Sequence, residues 1–232
     1  MLRKLLHSLP KAWGLLDSTR GFATRLWNKP QRPPIIVASL GRAGSTMICD
    51  SIIRADCKAS NQRYQRWMSF APAWHLENKV FSNGGIYKTH AKWSELPKNV
   101  KIVFVYDDPF QIIGSLLKKL QNNEQRWLQV HGAHLTNRKI SIEDMTIHDV
   151  FELEENFVSW TAHSNKNIFF SHYDDLWKNE KLLGKFLEID LCLPTRESRP
   201  VYFPHTTNDS ALPMQRAYGK LRTMTEQFRI HS

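Results

Sequence analysis

Residues 33–46 (PPIIVASLGRAGST) constrain the fold of this chain more than any other stretch. The apolar run 35–40 predicts a buried strand, and the residues after it predict a tight turn that leads into a helix. Such a turn aims backbone N–H groups and the positive end of a helix at one point, which suits a phosphate-like anion. Because the lysine of the usual nucleotide loop, G-x-x-x-x-G-K-[ST], is missing, an ordinary ATPase site is not expected.

The side chains of this turn favour the same ligand. Gly41 and Gly44 allow the backbone to approach an anion closely, and Arg42 adds a positive charge. Ser45 and Thr46 supply hydroxyl donors and can cap the helix. The alternative is an ordinary strand–turn–helix corner in which Ser45 is only the cap.

Length and charge place the chain among single-domain globular proteins. The 232 residues are 41% hydrophobic and carry a net charge of +10, which favours an anionic partner. Residues 1–34 hold seven basic residues and one acidic residue, so they account for most of that charge. The sequence is therefore divided into a basic tail, 1–32, and an α/β domain, 33–232. The remaining charge does not indicate a nucleic-acid partner.

The basic tail admits three interpretations. Residues 1–30 contain two tryptophans and several leucines, which is typical of a mobile or edge-packed tail or of an amphipathic helix on anionic lipid. An arginine-rich, acid-poor targeting segment is the third interpretation. The sequence contains no run of 18 apolar residues, so no membrane span is predicted. We expect a cytoplasmic protein whose residues 1–30 can contact a membrane surface.

The three cysteines, Cys49, Cys57 and Cys192, are odd in number and do not follow a zinc-binding spacing. They are interpreted as reduced thiols of a protein in a reducing compartment.

Strands alternate with helices along the rest of the domain. This order predicts one three-layer α/β domain, with a parallel sheet of about four or five strands flanked by helices. Ligands of such folds bind beyond the carboxyl ends of the strands. Further strands are predicted at 86–90, 101–106 and 167–171 and helices at 45–55, 109–122, 147–164, 178–188 and 213–228. Loops with a short helix are predicted at 58–82, and a polar loop at 131–141.

The second strand ends in Tyr87-Lys88-Thr89-His90. Side chains alternate along a strand, so Lys88 and His90 should share a face while Thr89 points away. His90 can accept a proton near neutral pH, and Lys88 can neutralise charge on a leaving oxygen. The alternative is two surface polar residues at a strand end.

Two further motifs follow strands. Asp107-Asp108-Pro109 suits either a Walker-B-like Mg²⁺ site or a helix capped by Asp108. In Tyr173-Asp174-Asp175-Leu176, an aspartate could cap the next helix and Tyr173 could stack on a base or be structural. The remaining histidines show no ligand spacing, so no metal is assigned: His131, His134, His163 and His205. Four tryptophans are expected to pack in the core or a lid: Trp67, Trp74, Trp93 and Trp127.

Taken together, these motifs resemble the sulfotransferases that use 3′-phosphoadenosine 5′-phosphosulfate (PAPS), in the same order across residues 33–190. The resemblance implies that Arg42, Ala43, Gly44, Ser45 and Thr46 hold the 5′-phosphosulfate. It also implies that His90 is the base and that Lys88 steadies the leaving group. By the same resemblance, Ser115 grips the 3′-phosphate and Tyr173 lies near the adenine.

This chain departs from the family pattern at two places. The family has an arginine for the 3′-phosphate where this chain has Asp107, a carboxylate that would repel that phosphate. For the family's C-terminal basic glycine loop, the candidate is the segment from Arg216 to Lys220. Either another cation replaces the arginine, or donor binding is altered or lost.

The sequence thus predicts transfer of a sulfuryl group from PAPS to a hydroxyl, less favourably an amine, with PAP as the product and no metal. The acceptor could be a carbohydrate, a lipid or a small molecule. Two alternatives remain open. One is a P-loop kinase using ATP and Mg²⁺ through Asp107 or Asp108, and the other is a non-catalytic binding protein of the same fold, which Asp107 would favour.

Overall fold

The computed structural model describes residues 31–61, 70–77, 79–163, 167–200, 202 and 212–231. The predictions for the basic tail up to residue 30, for Trp67 and for His205 lie outside the described residues. Arg32 is anchored to the domain, because its guanidinium binds both carboxylate oxygens of the buried Asp56, at 2.6 and 3.2 Å.

The centre of the domain is a parallel sheet of five strands in the order β2-β3-β1-β4-β5. The strands are β1 (Ile35–Ser39), β2 (Ala71–Pro72), β3 (Ile86–Thr89), β4 (Lys101–Tyr106) and β5 (Ile168–His172). The helices are α1 (Ser45–Ala59), α2 (Pro109–Gln121), α3 (Gln125–Thr136), α4 (Leu153–Thr161), α5 (Glu180–Leu187) and α6 (Leu212–His231). A 3₁₀ turn, Tyr173–Asp175, follows β5 directly. The predicted fold class and strand number are confirmed.

Helices cover both faces of the sheet, because the strands are apolar on both sides. Ile36 and Ala38 of β1 pack into the core under α2, α3, α4 and α6. Ile35 and Val37, on the opposite face, pack into the core under α1 and α5. All five residues of β1 are buried, so its carboxyl end is held rigidly where the turn to α1 begins.

Three sequence predictions fail for local reasons. The predicted polar loop 131–141 is wrong for its first part, because α3 runs to Thr136 and buries Leu128, His131, Gly132 and Leu135 at helical spacing. A histidine and a glycine on the buried face concealed this periodicity. The helix expected from 147 begins only at Leu153, where Asp149 accepts the N–H groups of Leu153 and Glu154. Strand β2 lies within 58–82, where loops with a short helix were predicted; with two residues it was too short to recognise.

Among the described residues, no helix is long and apolar enough to cross a membrane.

Candidate functional site

The turn between β1 and α1 has three residues with left-handed backbone angles: Gly41 (φ 81°), Arg42 (φ 52°) and Gly44 (φ 83°). Two of them also lack room for a side chain. A Cβ on Gly41 would lie 2.7 Å from His131 Nε2, and one on Gly44 would lie 2.8 Å from the ring of Tyr173. Glycine is therefore required at both positions, for conformation and for packing.

Helix α1 begins at Ser45 with Gly44 as its N-cap, and no side chain caps it. The prediction that Ser45 caps this helix is wrong, because the Ser45 hydroxyl is buried and accepts from Ser39 Oγ at 3.0 Å. The first turn of α1 contains no acidic residue. Its free N–H groups and positive end are thus left for an anion.

Lys88 reaches this turn from the neighbouring strand. Its Nζ donates to Thr46 Oγ1 at 2.7 Å, which joins the end of β3 to the first turn of α1. Burial, with Arg42 nearby, lowers the pKa of Lys88 from its usual value. A cation therefore lies beside the N-terminus of helix α1.

His90 lies on the same side, one residue beyond β3. Its Nδ1 is 3.1 Å from both the carbonyl oxygen and Oγ of Ser39. A carbonyl oxygen can only accept, so Nδ1 carries the proton and Nε2 is the ring's acceptor. Burial, and then the neighbouring His131 and Lys88, lower the pKa of His90 well below its usual value. The imidazole is therefore neutral at neutral pH.

Arg42 and Ser115 link the turn to helix α2. Arg42 Nε donates to Ser115 Oγ at 2.9 Å, and the guanidinium lies 5.7 Å from the centroid of the Trp127 ring. Ser115 is therefore next to the turn, although it is 73 residues away in sequence.

These groups meet in one cavity of about 630 Å³. It is lined by Arg42, Gly44, Ser45, Thr46, Met47, Trp74, Lys88, His90, Trp127, Val130, His131, His134 and Tyr173. No carboxylate is among these described lining residues. The wall is instead cationic, aromatic and hydroxyl-bearing, which suits an anionic ligand.

His131 and His134 also line this cavity, a role that their spacing in the sequence did not predict. Trp127 stacks on His131 with ring centroids 4.8 Å apart, and Trp74 stacks on His134 at 4.1 Å. Burial lowers the pKa of His131 to about 3 and that of His134 to about 4. Both are therefore neutral, and the tryptophans line the cavity by packing on them. A weak signal existed, since positions 127, 131 and 134 share one helix face.

Asp107 ends β4 as a buried carboxylate, 1% exposed. Arg199 binds both of its oxygens, with Nη2 to Oδ1 at 2.9 Å, and the N–H of Asp108 donates to it at 2.8 Å. Burial raises the pKa of Asp107 to about 6, while Arg199 acts in the opposite direction. The carboxylate expected to repel an anion is therefore paired with a cation that the sequence did not identify.

The two Asp-Asp motifs differ in capping. Asp108 Oδ1 accepts the N–H of Phe110 at 2.8 Å, which confirms the predicted cap of α2. After β5 the cap is His172, whose Nδ1 accepts the N–H of Asp174 at 3.2 Å, so the prediction that Asp174 or Asp175 caps a helix is wrong. Those aspartates bind arginines instead.

Arg216 and Lys220 lie within the continuous helix α6, so the interpretation of this segment as a basic loop is wrong. Lys220 pairs with Glu154 of α4, and neither Arg216 nor Lys220 lines the cavity. Among the described residues, no group of three or more His, Cys, Asp or Glu is arranged to hold a metal ion. The three cysteines are free thiols.

No protein-family model matches this sequence, and no curated protein matches it. Among solved structures, the chain is similar to retinol dehydratase in complex with retinol and PAP, at 17% identity and a TM-score of 0.43, over 72% of this chain. It is also similar to retinol dehydratase in complex with androsterone and inactive cofactor PAP, at 18% identity and a TM-score of 0.40, again over 72% of this chain. In both cases the match covers 62% of the other protein's length.

Proposed function

We propose that this protein transfers the sulfuryl group of PAPS to a hydroxyl group. One observation supports this above all others. Lys88 Nζ donates a hydrogen bond to Thr46 Oγ1 at the N-terminus of α1, and the neutral His90 lines the same cavity. Transfer of an anionic group requires an anion-binding site, a cation and a proton acceptor, and all three surround this cavity.

The donor binds through the turn. The backbone N–H groups of Arg42, Ala43 and Gly44, with Ser45 and Thr46 at the start of α1, hold the 5′-phosphosulfate. Arg42 adds its charge, and Ser115, which accepts a hydrogen bond from Arg42, would donate its hydroxyl proton to the 3′-phosphate. Tyr173 packs against Gly44, which leaves its ring at the cavity wall, beside the proposed position of the adenine.

The chemical step is an in-line displacement at sulfur. The acceptor oxygen forms a bond to sulfur while the bond from sulfur to the bridging oxygen of PAPS breaks. His90 Nε2 takes the hydroxyl proton, since Nδ1 is already protonated toward Ser39. Lys88 meets the negative charge that develops on the leaving phosphate oxygen of PAP. The step requires no metal.

The cavity wall favours a hydroxyl acceptor over an amine. An ammonium group would lie among Arg42, Lys88 and buried imidazoles, and the described lining residues offer no carboxylate to pair with it. A neutral or acidic carbohydrate, lipid or small molecule is therefore the expected acceptor class. Contact of residues 1–30 with a membrane surface stays a prediction.

The two alternatives lose their main support. A kinase would need Asp107 or Asp108 for Mg²⁺, but Arg199 binds both oxygens of Asp107. Asp108 caps α2 and pairs with Arg222. The non-catalytic interpretation depended on repulsion between Asp107 and the donor, which Arg199 balances.

The experiment that tests the proposal measures transfer of labelled sulfate from PAPS to hydroxyl acceptors, beside calorimetric binding of PAP and of ATP–Mg²⁺. We expect PAP to bind more tightly than ATP–Mg²⁺. Lys88→Met should slow transfer by roughly 10²-fold, whereas the control Lys92→Met, which removes ion pairs to Glu152 and Glu155, should leave transfer within about twofold. Tighter binding of ATP–Mg²⁺, or equal effects of the two variants, would contradict the proposal.

A further inference from the structure

The carboxyl ends of β4 and β5 carry a second charged region beside the turn. Each of these neighbouring strands is followed by two aspartates, and each aspartate is bound by an arginine from the last 40 residues of the chain. The pairs are Asp107–Arg199, Asp108–Arg222, Asp174–Arg196, Asp174–Arg199 and Asp175–Arg229. We call these residues the arginine–aspartate edge.

Arg199 differs from the other arginines of this edge in its position. Its guanidinium lies 4.2 Å from the centroid of the Tyr173 ring, and the same ring contacts Gly44 of the turn. One aromatic ring therefore separates Arg199 from the anion site. The site thus presents, in order, a cation, an aromatic ring and an anion-binding turn. This order suits a nucleotide that carries one anionic group at each end.

Arg199 can also change partners. Its side chain is 29% exposed, and residues 191–200 form neither helix nor strand. Asp107 would keep other partners without it, because it accepts the N–H of Asp108 and lies 3.6 Å from His172 Nε2. The buried carboxylate would thus not be left without polar contacts.

We propose that Arg199 binds the 3′-phosphate of the donor, exchanging Asp107 and Asp174 for that phosphate, and so makes the site specific for a 3′-phosphorylated nucleotide. This inference rests on the proposed function. A guanidinium forms two parallel hydrogen bonds to phosphate as readily as to carboxylate, and the phosphate carries the larger charge. Asp107 and Asp174 act as positioning residues, because they hold the guanidinium over Tyr173 until the donor arrives.

Arg199→Met in the full chain tests the inference through the ratio of PAP to AMP affinity, measured by calorimetry. AMP lacks only the 3′-phosphate. We expect Arg199→Met to weaken PAP binding by about 10- to 100-fold and AMP binding by less than about twofold. Arg196→Met is the matched control, since Arg196 also binds Asp174 but lies over Trp177, and it should preserve the ratio.

Asp107→Asn provides an independent test that keeps the shape of the side chain. Removing the competing carboxylate charge should raise PAP affinity several-fold and leave AMP affinity unchanged. An unchanged PAP-to-AMP ratio in both Arg199→Met and Asp107→Asn would overturn the role of Arg199 while leaving the proposed function standing. If the unaltered protein binds PAP no better than AMP and transfers no sulfate, both proposals fail.

Discussion

The turn region, comprising Gly41–Thr46 with Lys88 and His90, differs from the arginine–aspartate edge in how its charges are arranged. At the turn, cations and helix N–H groups face a cavity without a described carboxylate. At the edge, every cation already has a carboxylate partner within the chain. Uncompensated charge is available for a ligand, whereas compensated charge mainly fixes the C-terminal segments to the sheet. Arg199 is the residue for which we propose both uses.

The largest expected effect is at the turn. His90→Ala should lower kcat by about 10²- to 10⁴-fold while PAP affinity is retained, because only the base is lost. Because the pKa of His90 is well below its usual value, kcat/KM of the unaltered protein should stay flat between pH 8 and about 6.5. His163→Ala is the control, since His163 stacks on Trp93 outside the cavity lining. Substantial transfer by His90→Ala would remove His90 as the base.

Acid should destabilise both regions through their buried histidines. His131 has a pKa of about 3, and His134 and His172 of about 4, each lowered chiefly by burial, and the pKa of His90 is lowered too. In the unfolded chain histidines titrate near 6.5. The fold therefore keeps the stability of burying neutral imidazoles above that pH and loses it as the pH falls from about 6.5 toward 4.

The contribution of Asp107 to the free energy of unfolding changes with pH in the opposite direction. Its raised pKa stabilises the fold in acid, and that stability is lost as the pH rises through about 6. Because four histidines oppose one aspartate, the free energy of unfolding should fall between pH 7 and 5, which urea unfolding across that range can measure. The double variant His131→Phe/His134→Phe should flatten the decline. A pH-independent free energy of unfolding would show that folding does not lower the pKa values of these histidines.

Backbone strain separates the turn from an ordinary corner. Gly44→Ala should lower the free energy of unfolding by about 1–3 kcal/mol, because alanine would have to adopt φ 83° and its Cβ would clash with the Tyr173 ring. PAP affinity should fall by at least about tenfold. Gly84→Ala imposes similar strain, at φ 66°, away from the cavity, and should destabilise without weakening PAP binding. Equal losses of PAP binding would mean that strain alone, and not the turn geometry, is responsible.

The smallest effect is expected at the outer part of the edge. Arg229 is 40% exposed and binds Asp175, so Arg229→Met should cost less than about 1 kcal/mol of stability. PAP affinity should not change. A large loss of PAP affinity, measured in the same calorimetric series as Arg199→Met, would extend the binding role to the whole edge.

The strongest sequence signals are local in the chain. The run 35–40 followed by glycines defined the first strand and its turn, and alternation along 87–90 placed Lys88 and His90 on one face. Helix α3 was misjudged because His131 and Gly132 occupy buried positions that usually hold apolar residues. The histidines of the cavity wall were missed for the same reason.

The alternating strands and helices and the tight turn after β1 could be predicted from the sequence, because they depend on neighbours within a few positions. The folded chain was needed to show that Asp107 pairs with Arg199, 92 residues away, and that His131 packs against Gly41. Such partnerships arise when crossover helices bring distant segments to one edge of the sheet, and the charge of a buried group is set by that contact rather than by its place in the chain.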